Sequence, residues 1–155
     1  MSGLANPLEV LGLGDVLVGC TADSMSDAIE LVGGCLVERG AVSSEYVSGM
    51  HAREEVMTTY LGNGIALPHG VLESKQYIER TAIVVAQFPA GVDWVHGTAH
   101  LVVGLAAVGE DHIAVLAQLA EVLQDEDLCQ HLATVDDPTV IHDHLTAASD
   151  EEDDD

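Results

Sequence analysis

RTAIVVAQFPAG, residues 80–91, is a near-continuous apolar run that ends in turn residues. A second run of the same kind, HLVVGLAAVG, follows at residues 100–109. Apolar runs of this length, bounded by turn residues, are typical of strands that are covered on both faces. The two runs therefore predict the centre of a sheet that lies between two layers of helices.

Helical patterns flank the two runs on both sides. Residues 22–40 offer capping residues at their start, apolar residues at helical spacing and a glycine as the stop. Residues 44–56 begin with serine and an acidic first turn, and residues 111–125 place their apolar side chains on one face. Two shorter helices fit residues 126–133 and 137–148.

The order of these patterns predicts the architecture. A short strand-like run lies at residues 14–20, and residues 89–98 are rich in turn residues and are predicted to connect the two apolar runs. We predict an α/β fold, a three-layer α/β/α sandwich with a mixed central sheet flanked by helices. The length of 155 residues fits one domain, at residues 1–148, followed by a disordered acidic tail at residues 149–155.

Acidic residues dominate the charge of the chain. Asp and Glu number 27 against 4 Lys and Arg, and the formal net charge is -23. Without the tail, 21 acidic residues remain, so the acidity belongs to the domain as well. Nucleic acid and anionic membranes are poor partners for such a surface. We interpret the composition as adaptation to concentrated salt, which screens repulsion between carboxylates.

The sequence contains no recognisable targeting signal and no cofactor-binding motif. Its longest apolar stretches contain glycine and fall short of the roughly 20 residues of a membrane span. The N-terminus has no basic signal region, so we expect a cytoplasmic protein without membrane insertion. Three cysteines without a C-x-x-C pair indicate neither a disulfide framework nor a zinc site. The glycine motifs that are typical of nucleotide-binding sites are incomplete in this sequence, so we expect no cofactor.

The histidine pairs give weak metal signals. His96 and His100 have the i, i+4 spacing of a helical metal pair, but the residues between them are poor helix formers and a strand follows. His142 and His144 are two residues apart, which sends their rings to different faces of a helix, and both are predicted to lie on the solvated surface. We therefore expect no metal site.

His69 has the most constrained surroundings of the histidines. Pro68 restricts the backbone before it, Gly70 removes side-chain bulk after it, and glycines at residues 62 and 64 allow tight turns. Such a ring can stand at the mouth of a pocket and act as a nucleophile. The local residues leave one alternative open, namely a turn histidine that packs against the sheet.

The segment YLGNGIALPHGVLESK, residues 60–75, resembles the active-site segment of enzyme IIA of the mannitol/fructose type, in the phosphoenolpyruvate-dependent sugar phosphotransferase system. Residues 21–70 follow the family pattern, with an RE pair in a helix that precedes the motif G-x-G-I-A-x-P-H. Segments AQFPAGVDW, HLVVGLAA and EDHIAVLAQLAEVL resemble later elements of the family. The resemblance spans roughly residues 4–145 and implies an EIIA type 2 domain at residues 1–148.

The resemblance implies roles for three residues. His69 would be the phosphoacceptor, His112 a second active-site histidine and Arg53 the arginine that faces the phosphate. A neutral imidazole can attack a phosphoryl group, and a guanidinium suits phosphate oxygens. For Arg53 the residues leave an alternative open, an ion pair within its helix with a neighbouring glutamate.

The resemblance also implies two protein partners. The phosphocarrier HPr would donate the phosphoryl group and the IIB component of a permease would accept it, in the uptake of fructose or mannitol. The alternative is a regulatory, nitrogen-related IIA protein whose phosphorylation state controls binding to other proteins. Cys20, Cys35 and Cys129 match no IIB loop, so the sequence resembles IIA alone.

Overall fold

The computed structural model describes residues 11–109 and 111–153, with the backbone alone for residues 111–112 and 147–153. It contains five strands, five α-helices and short 3-10 turns at Leu13–Asp15 and Leu72–Tyr77. The order of strands and α-helices is β1 (Val16–Leu17), α1 (Met25–Glu38), α2 (Glu45–Val56), β2 (Tyr60–Gly62), β3 (Ile65–Ala66), β4 (Ala82–Trp94), β5 (Gly97–Ala106), α3 (Asp111–Leu123), α4 (Glu126–Thr134) and α5 (Pro138–Asp153).

The five strands form one mixed sheet in the order β1-β4-β5-β3-β2. Strands β4 and β5 are antiparallel to each other, whereas β1 runs parallel to β4 and β3 parallel to β5. The long antiparallel pair lies at the centre of the sheet, as the two apolar runs predict.

The predicted turn-rich connection at residues 89–98 is wrong. Strand β4 continues to Trp94 and β5 begins at Gly97, so the turn between them has only two residues. A register shift between Gln87 and Val92 absorbs the proline and glycine of this stretch as an irregularity within the strand. Pairing along the sheet thus overrides the local turn signals.

The side chains of β4 and β5 alternate between two apolar clusters. Val85 and Val103 pack into a cluster with α3, α4 and α5, whereas Val84 and Val102 pack into a second cluster with α1 and α2. Because both faces of the sheet are covered, the strands are apolar on both sides. The predicted three-layer α/β/α sandwich is confirmed.

The C-terminal helix α5 extends past the predicted start of the acidic tail. Helix α5 ends at Asp153, beyond residue 149, where the acidic tail is predicted to begin, and the division at residue 148 stays a prediction.

Among residues 11–109 and 111–153, no helix is long and apolar enough to cross a membrane.

Candidate active site

The loop that carries His69 follows β3 and is held by backbone hydrogen bonds on both sides. The N–H of Leu105 in β5 donates to the carbonyl oxygen of Pro68 at 3.0 Å. The N–H of Val71 donates to the carbonyl oxygen of Gly49 in α2 at 3.3 Å. His69 therefore lies where the carboxyl end of β5 meets α2, and its backbone position is set by the sheet and by a helix.

Gly70 is required by close packing rather than by an unusual backbone angle. A Cβ atom at this position would lie 2.2 Å from Oγ of Ser74 and 2.6 Å from Cε1 of Tyr46. Both of these side chains are buried, so they have little room to move away. The glycine after His69 allows the 3-10 turn at Leu72–Tyr77 and helix α2 to approach the loop.

The ring of His69 is half-buried, and its Nδ1 lies 2.8 Å from the carbonyl oxygen of Leu67. A carbonyl oxygen only accepts hydrogen bonds, so Nδ1 must carry the proton in this arrangement. In a neutral imidazole the other nitrogen, Nε2, then holds the lone pair. The backbone of the loop thus selects the tautomer that is nucleophilic at Nε2.

A pocket of about 180 Å³ opens beside His69. Its polar and charged side chains come from α2 and from the segment that follows His69, and its apolar floor comes from the end of β5. The lining residues are Tyr46, Arg53, His69, Gly70, Val71, Leu72, Lys75, Ile78, Leu105 and Ala107. The structure thus brings two predicted site residues, His69 and Arg53, to one pocket.

Arg53 and its sequence neighbour Glu54 point to different surroundings. Nη1 of Arg53 donates to the carbonyl oxygen of Met57 at 2.5 Å, and no ion pair between described side chains involves Arg53. The carboxylate of Glu54 is buried, and it accepts from the N–H and hydroxyl of Thr59 and from Nε1 of Trp94. The alternative for Arg53, an ion pair within its helix with Glu54 or another neighbouring glutamate, is therefore not formed among the described side chains.

His112 is the second residue of α3, and its side chain lies outside the described residues. Its predicted role stays a prediction. The described part of the link between β5 and α3, residues 107–109, begins at Ala107, which lines the pocket. The chain therefore leads directly from the pocket into the helix that begins just before His112.

The other histidines lie away from this pocket. His96 is in the turn between β4 and β5, and Nδ1 of His100 in β5 lies 3.1 Å from the carbonyl oxygen of Phe88. His142 is half-buried and its Nε2 lies 3.0 Å from the carbonyl oxygen of Leu11, so it is less solvated than predicted, while His144 is exposed as predicted. Within the described part of the chain, no group of three or more His, Cys, Asp or Glu side chains could hold a metal ion.

Two residues of the site are missing from the sequence-based prediction, Tyr46 and Lys75. The hydroxyl of Tyr46 accepts from the N–H of Gly70 at 2.9 Å and donates to the carbonyl oxygen of Leu105 at 2.8 Å. Lys75 donates to backbone carbonyl oxygens in the 107–109 link. A signal existed only for Lys75, because it is the single lysine of a strongly acidic chain.

Comparison with known protein families identifies the family of this chain. Residues 10–148 match the family model described as phosphoenolpyruvate-dependent sugar phosphotransferase system, EIIA 2. The chain belongs to this EIIA type 2 family. Membership supports a role in phosphoryl transfer.

Relatives of this EIIA protein include longer proteins. It is 44% identical over 135 residues to a multiphosphoryl transfer protein of Rhodobacter capsulatus, and this match covers 86% of the chain and 16% of the relative. A multiphosphoryl transfer protein of Haemophilus influenzae is 40% identical over 124 residues, covering 79% of the chain and 25% of the relative. The EIIA chain thus spans a quarter or less of these two relatives.

Solved structures match the EIIA chain over nearly their full length. The crystal structure of IIA mannitol from Escherichia coli has a TM-score of 0.80 and 36% identity, covering 86% of this chain and 97% of that one. A complex of enzyme IIAMTL with phosphorylated enzyme IIBMTL from Escherichia coli has a TM-score of 0.81 and 35% identity, with coverages of 88% and 96%. Nitrogen regulatory protein IIA-Ntr from Neisseria meningitidis, at 23% identity and a TM-score of 0.76, shares the fold.

Proposed function

We propose that this EIIA protein is a phosphocarrier that accepts a phosphoryl group from phospho-HPr on His69 and passes it to a IIB component. The observation that carries the proposal is the orientation of His69. Its Nδ1 faces the carbonyl oxygen of Leu67, and its ring lines a pocket that also contains Arg53. A fixed nucleophilic nitrogen beside a permanent cation suits the transfer of an anionic group.

The transfer requires one bond to form and one to break. The lone pair of Nε2 of His69 attacks phosphorus, and the bond between phosphorus and the histidine nitrogen of HPr breaks, so that the electron pair leaves with the donor ring. His69 retains its Nδ1 proton, which the carbonyl oxygen of Leu67 continues to accept. The positive charge of the phosphorylated ring is therefore stabilised by a backbone dipole. In the onward transfer, the acceptor that the family resemblance implies, a cysteine thiolate of IIB, attacks phosphorus, the bond between phosphorus and Nε2 breaks, and its electron pair returns to the ring of His69.

Charge on the phosphoryl oxygens needs fixed donors, because transition states of phosphoryl transfer are stabilised mainly by positioning and electrostatics. Arg53 supplies a guanidinium in the pocket, and it has no carboxylate partner among the described side chains. We assign the same function to His112 from the family resemblance. Its position at the start of α3 would also bring backbone N–H groups toward an anion.

Exposed apolar side chains near the pocket support docking of protein partners. Leu72 lines the pocket and is 77% exposed, and Val108 in the following link is 49% exposed. Ile113 and Leu116, in the first turns of α3, are also exposed. Apolar contacts persist where salt screens charges, so HPr and IIB would bind this face through apolar side chains.

The proposed acceptor is the IIB component of a fructose or mannitol permease. Relatives and solved matches include a mannitol-specific EIICBA component of Buchnera aphidicola and the Escherichia coli mannitol IIA–IIB complex. The names of these proteins support mannitol, and fructose is the other sugar that the family resemblance allows. The rates of phosphoryl transfer to the IIB component of a fructose permease and to that of a mannitol permease distinguish between the two sugars.

Phosphorylation with purified components tests this function. The protein is incubated with phosphoenolpyruvate, enzyme I and HPr from its own organism, and the acid-labile phosphate is mapped by mass spectrometry. We expect label on His69 in the wild type and none there in His69→Ala. His112→Ala should still accept phosphate but pass it on more slowly. Full labelling of His69→Ala would refute the assignment, and phosphorylation without transfer to any IIB would favour the regulatory alternative.

A further inference from the structure

Lys75 is the second cation of the His69 pocket, and nothing in the proposed function uses it. It lies in the 3-10 turn at Leu72–Tyr77, and its side chain is half-buried. Its Nζ donates to the carbonyl oxygen of Gly109 and lies 3.4 Å from that of Ala107. Lys75 therefore joins the segment after His69 to the link that leads into α3.

The distribution of positive charge singles out this pocket. The chain has four Lys and Arg residues against 27 acidic residues. Arg39 forms an ion pair with Asp15, and exposed Arg80 donates to the carbonyl oxygen of Arg39 at 2.7 Å. The other two, Arg53 and Lys75, both line the pocket of His69. Two of the four Lys and Arg residues thus line the pocket of one histidine.

The ammonium of Lys75 donates its hydrogen bonds to uncharged acceptors. Its contacts are neutral backbone carbonyls, and no ion pair between described side chains includes it. An ammonium and a phosphoryl dianion also attract each other as opposite charges, and a neutral carbonyl oxygen does not offer this attraction. A phosphoryl dianion on His69, in the same pocket, would therefore compete with these carbonyls for the ammonium. A lysine can respond, because its side chain is flexible and its three donors rotate freely.

We propose that Lys75 binds the phosphoryl group of phosphorylated His69 and releases the carbonyl oxygens of Ala107 and Gly109 as it does so. This inference rests on the proposed function of His69. Val108 lies between these two residues, and its exposed side chain is part of the face to which partners would dock. The docking face then differs between the free and the phosphorylated protein, which lets partners distinguish the two forms.

Rates of phosphorylation test the contact with the phosphoryl group. Lys75→Met removes the charge, and Lys75→Arg keeps it. The matched control is Arg80→Met, which makes the same change in net charge away from the pocket. We expect Lys75→Met to slow phosphorylation of His69 by HPr by about tenfold, the loss of one charge-assisted hydrogen bond. Lys75→Arg should recover most of the rate, and Arg80→Met should match the wild type.

Amide spectra test the release of the link. Phosphorylation of the wild type should shift the backbone amide signals of Val108 and Gly109, and unphosphorylated Lys75→Met should already show shifted signals. In Lys75→Met, phosphorylation should then cause little further change at these two amides. A purely structural role for Lys75 would leave the phosphorylation-dependent shift in place, and that result would overturn the inference.

The outcomes separate this inference from the proposed function. If the wild type takes no phosphate on His69, the proposed function fails and this inference fails with it. If the wild type is phosphorylated and Lys75→Met reacts at the same rate, only the role of Lys75 fails. If Lys75→Met unfolds early, Lys75→Arg decides: a folded arginine variant that reacts about tenfold slower than the wild type refutes the role of the charge.

Discussion

The hydroxyl of Tyr46 lies 2.9 Å from the backbone nitrogen of Gly70, the residue that follows His69. The same hydroxyl donates to the carbonyl oxygen of Leu105 at 2.8 Å. One buried side chain of α2 thus joins the His69 loop to the end of β5. Because both bonds are to backbone groups, Tyr46 sets the position of the loop rather than the chemistry of the ring.

Tyr46→Phe should destabilise the fold by about 1–3 kcal/mol, because it leaves a half-buried N–H and a buried carbonyl oxygen without this partner. Urea unfolding measures the change. Tyr77→Phe is the matched control, since it leaves every hydrogen bond of the His69 loop described above in place. Equal stability of Tyr46→Phe and the wild type would show that water replaces the hydroxyl without loss.

Stability should fall between pH 10 and 12 because of Tyr46. Burial raises the pKa of this phenol to about 12, from an ordinary value of about 10, although the hydrogen bond from Gly70 lowers it somewhat. The folded state holds the proton more tightly than the unfolded chain, so the contribution is complete below pH about 10 and is lost as pH rises through 12. Unfolding measured across this range should be less steep in pH for Tyr46→Phe, and identical slopes would contradict the assignment.

The phosphate should be on Nε2 of His69. Leu67 accepts a hydrogen bond from Nδ1, so attack through Nδ1 would require the ring to turn and lose that bond. Nitrogen-15 and phosphorus-31 spectra of the phosphorylated, histidine-labelled protein distinguish the two isomers. A product phosphorylated at Nδ1 would mean that the ring reorients before it reacts.

Arg53→Met should slow both phosphorylation by HPr and transfer to IIB by about tenfold or more, since it removes a charged donor from the pocket. Arg53→Lys should recover only part of the rate, because an ammonium lacks the planar fork of the guanidinium. Arg80→Met serves as the charge control. Single-turnover kinetics of each half-reaction measure the effect, and rates equal to the wild type would place the phosphoryl group away from Arg53.

The thermal midpoint should rise from low to molar KCl. At a formal charge of -23, repulsion between carboxylates opposes folding most strongly when salt does not screen it. Replacing the six acids of residues 149–155 by Asn and Gln should shift the curve only slightly, because 21 acidic residues remain. A midpoint independent of salt would refute the adaptation to salt and leave the role of His69 unaffected.

Local patterns were sufficient for the long elements. The apolar runs predicted the central pair β4 and β5, and caps and apolar spacing predicted α1 and α2 within a few residues. These signals act over a few residues, so they can be seen without knowing the rest of the fold. The short strands β2 and β3 were missed, because strands of three and two residues depend on the neighbour that they pair with.

The sequence by itself determined the family, the layered fold and the constrained setting of His69, since the glycines and proline around it restrict the backbone directly. Only the tertiary structure decided which residues besides His69 and the predicted Arg53 line its pocket. Tyr46 and Lys75 reach the pocket because α2 and the Leu72–Tyr77 turn pack against the end of β5. Contacts of this kind depend on strand register and on helix packing across the whole domain, and no local pattern encodes either of them.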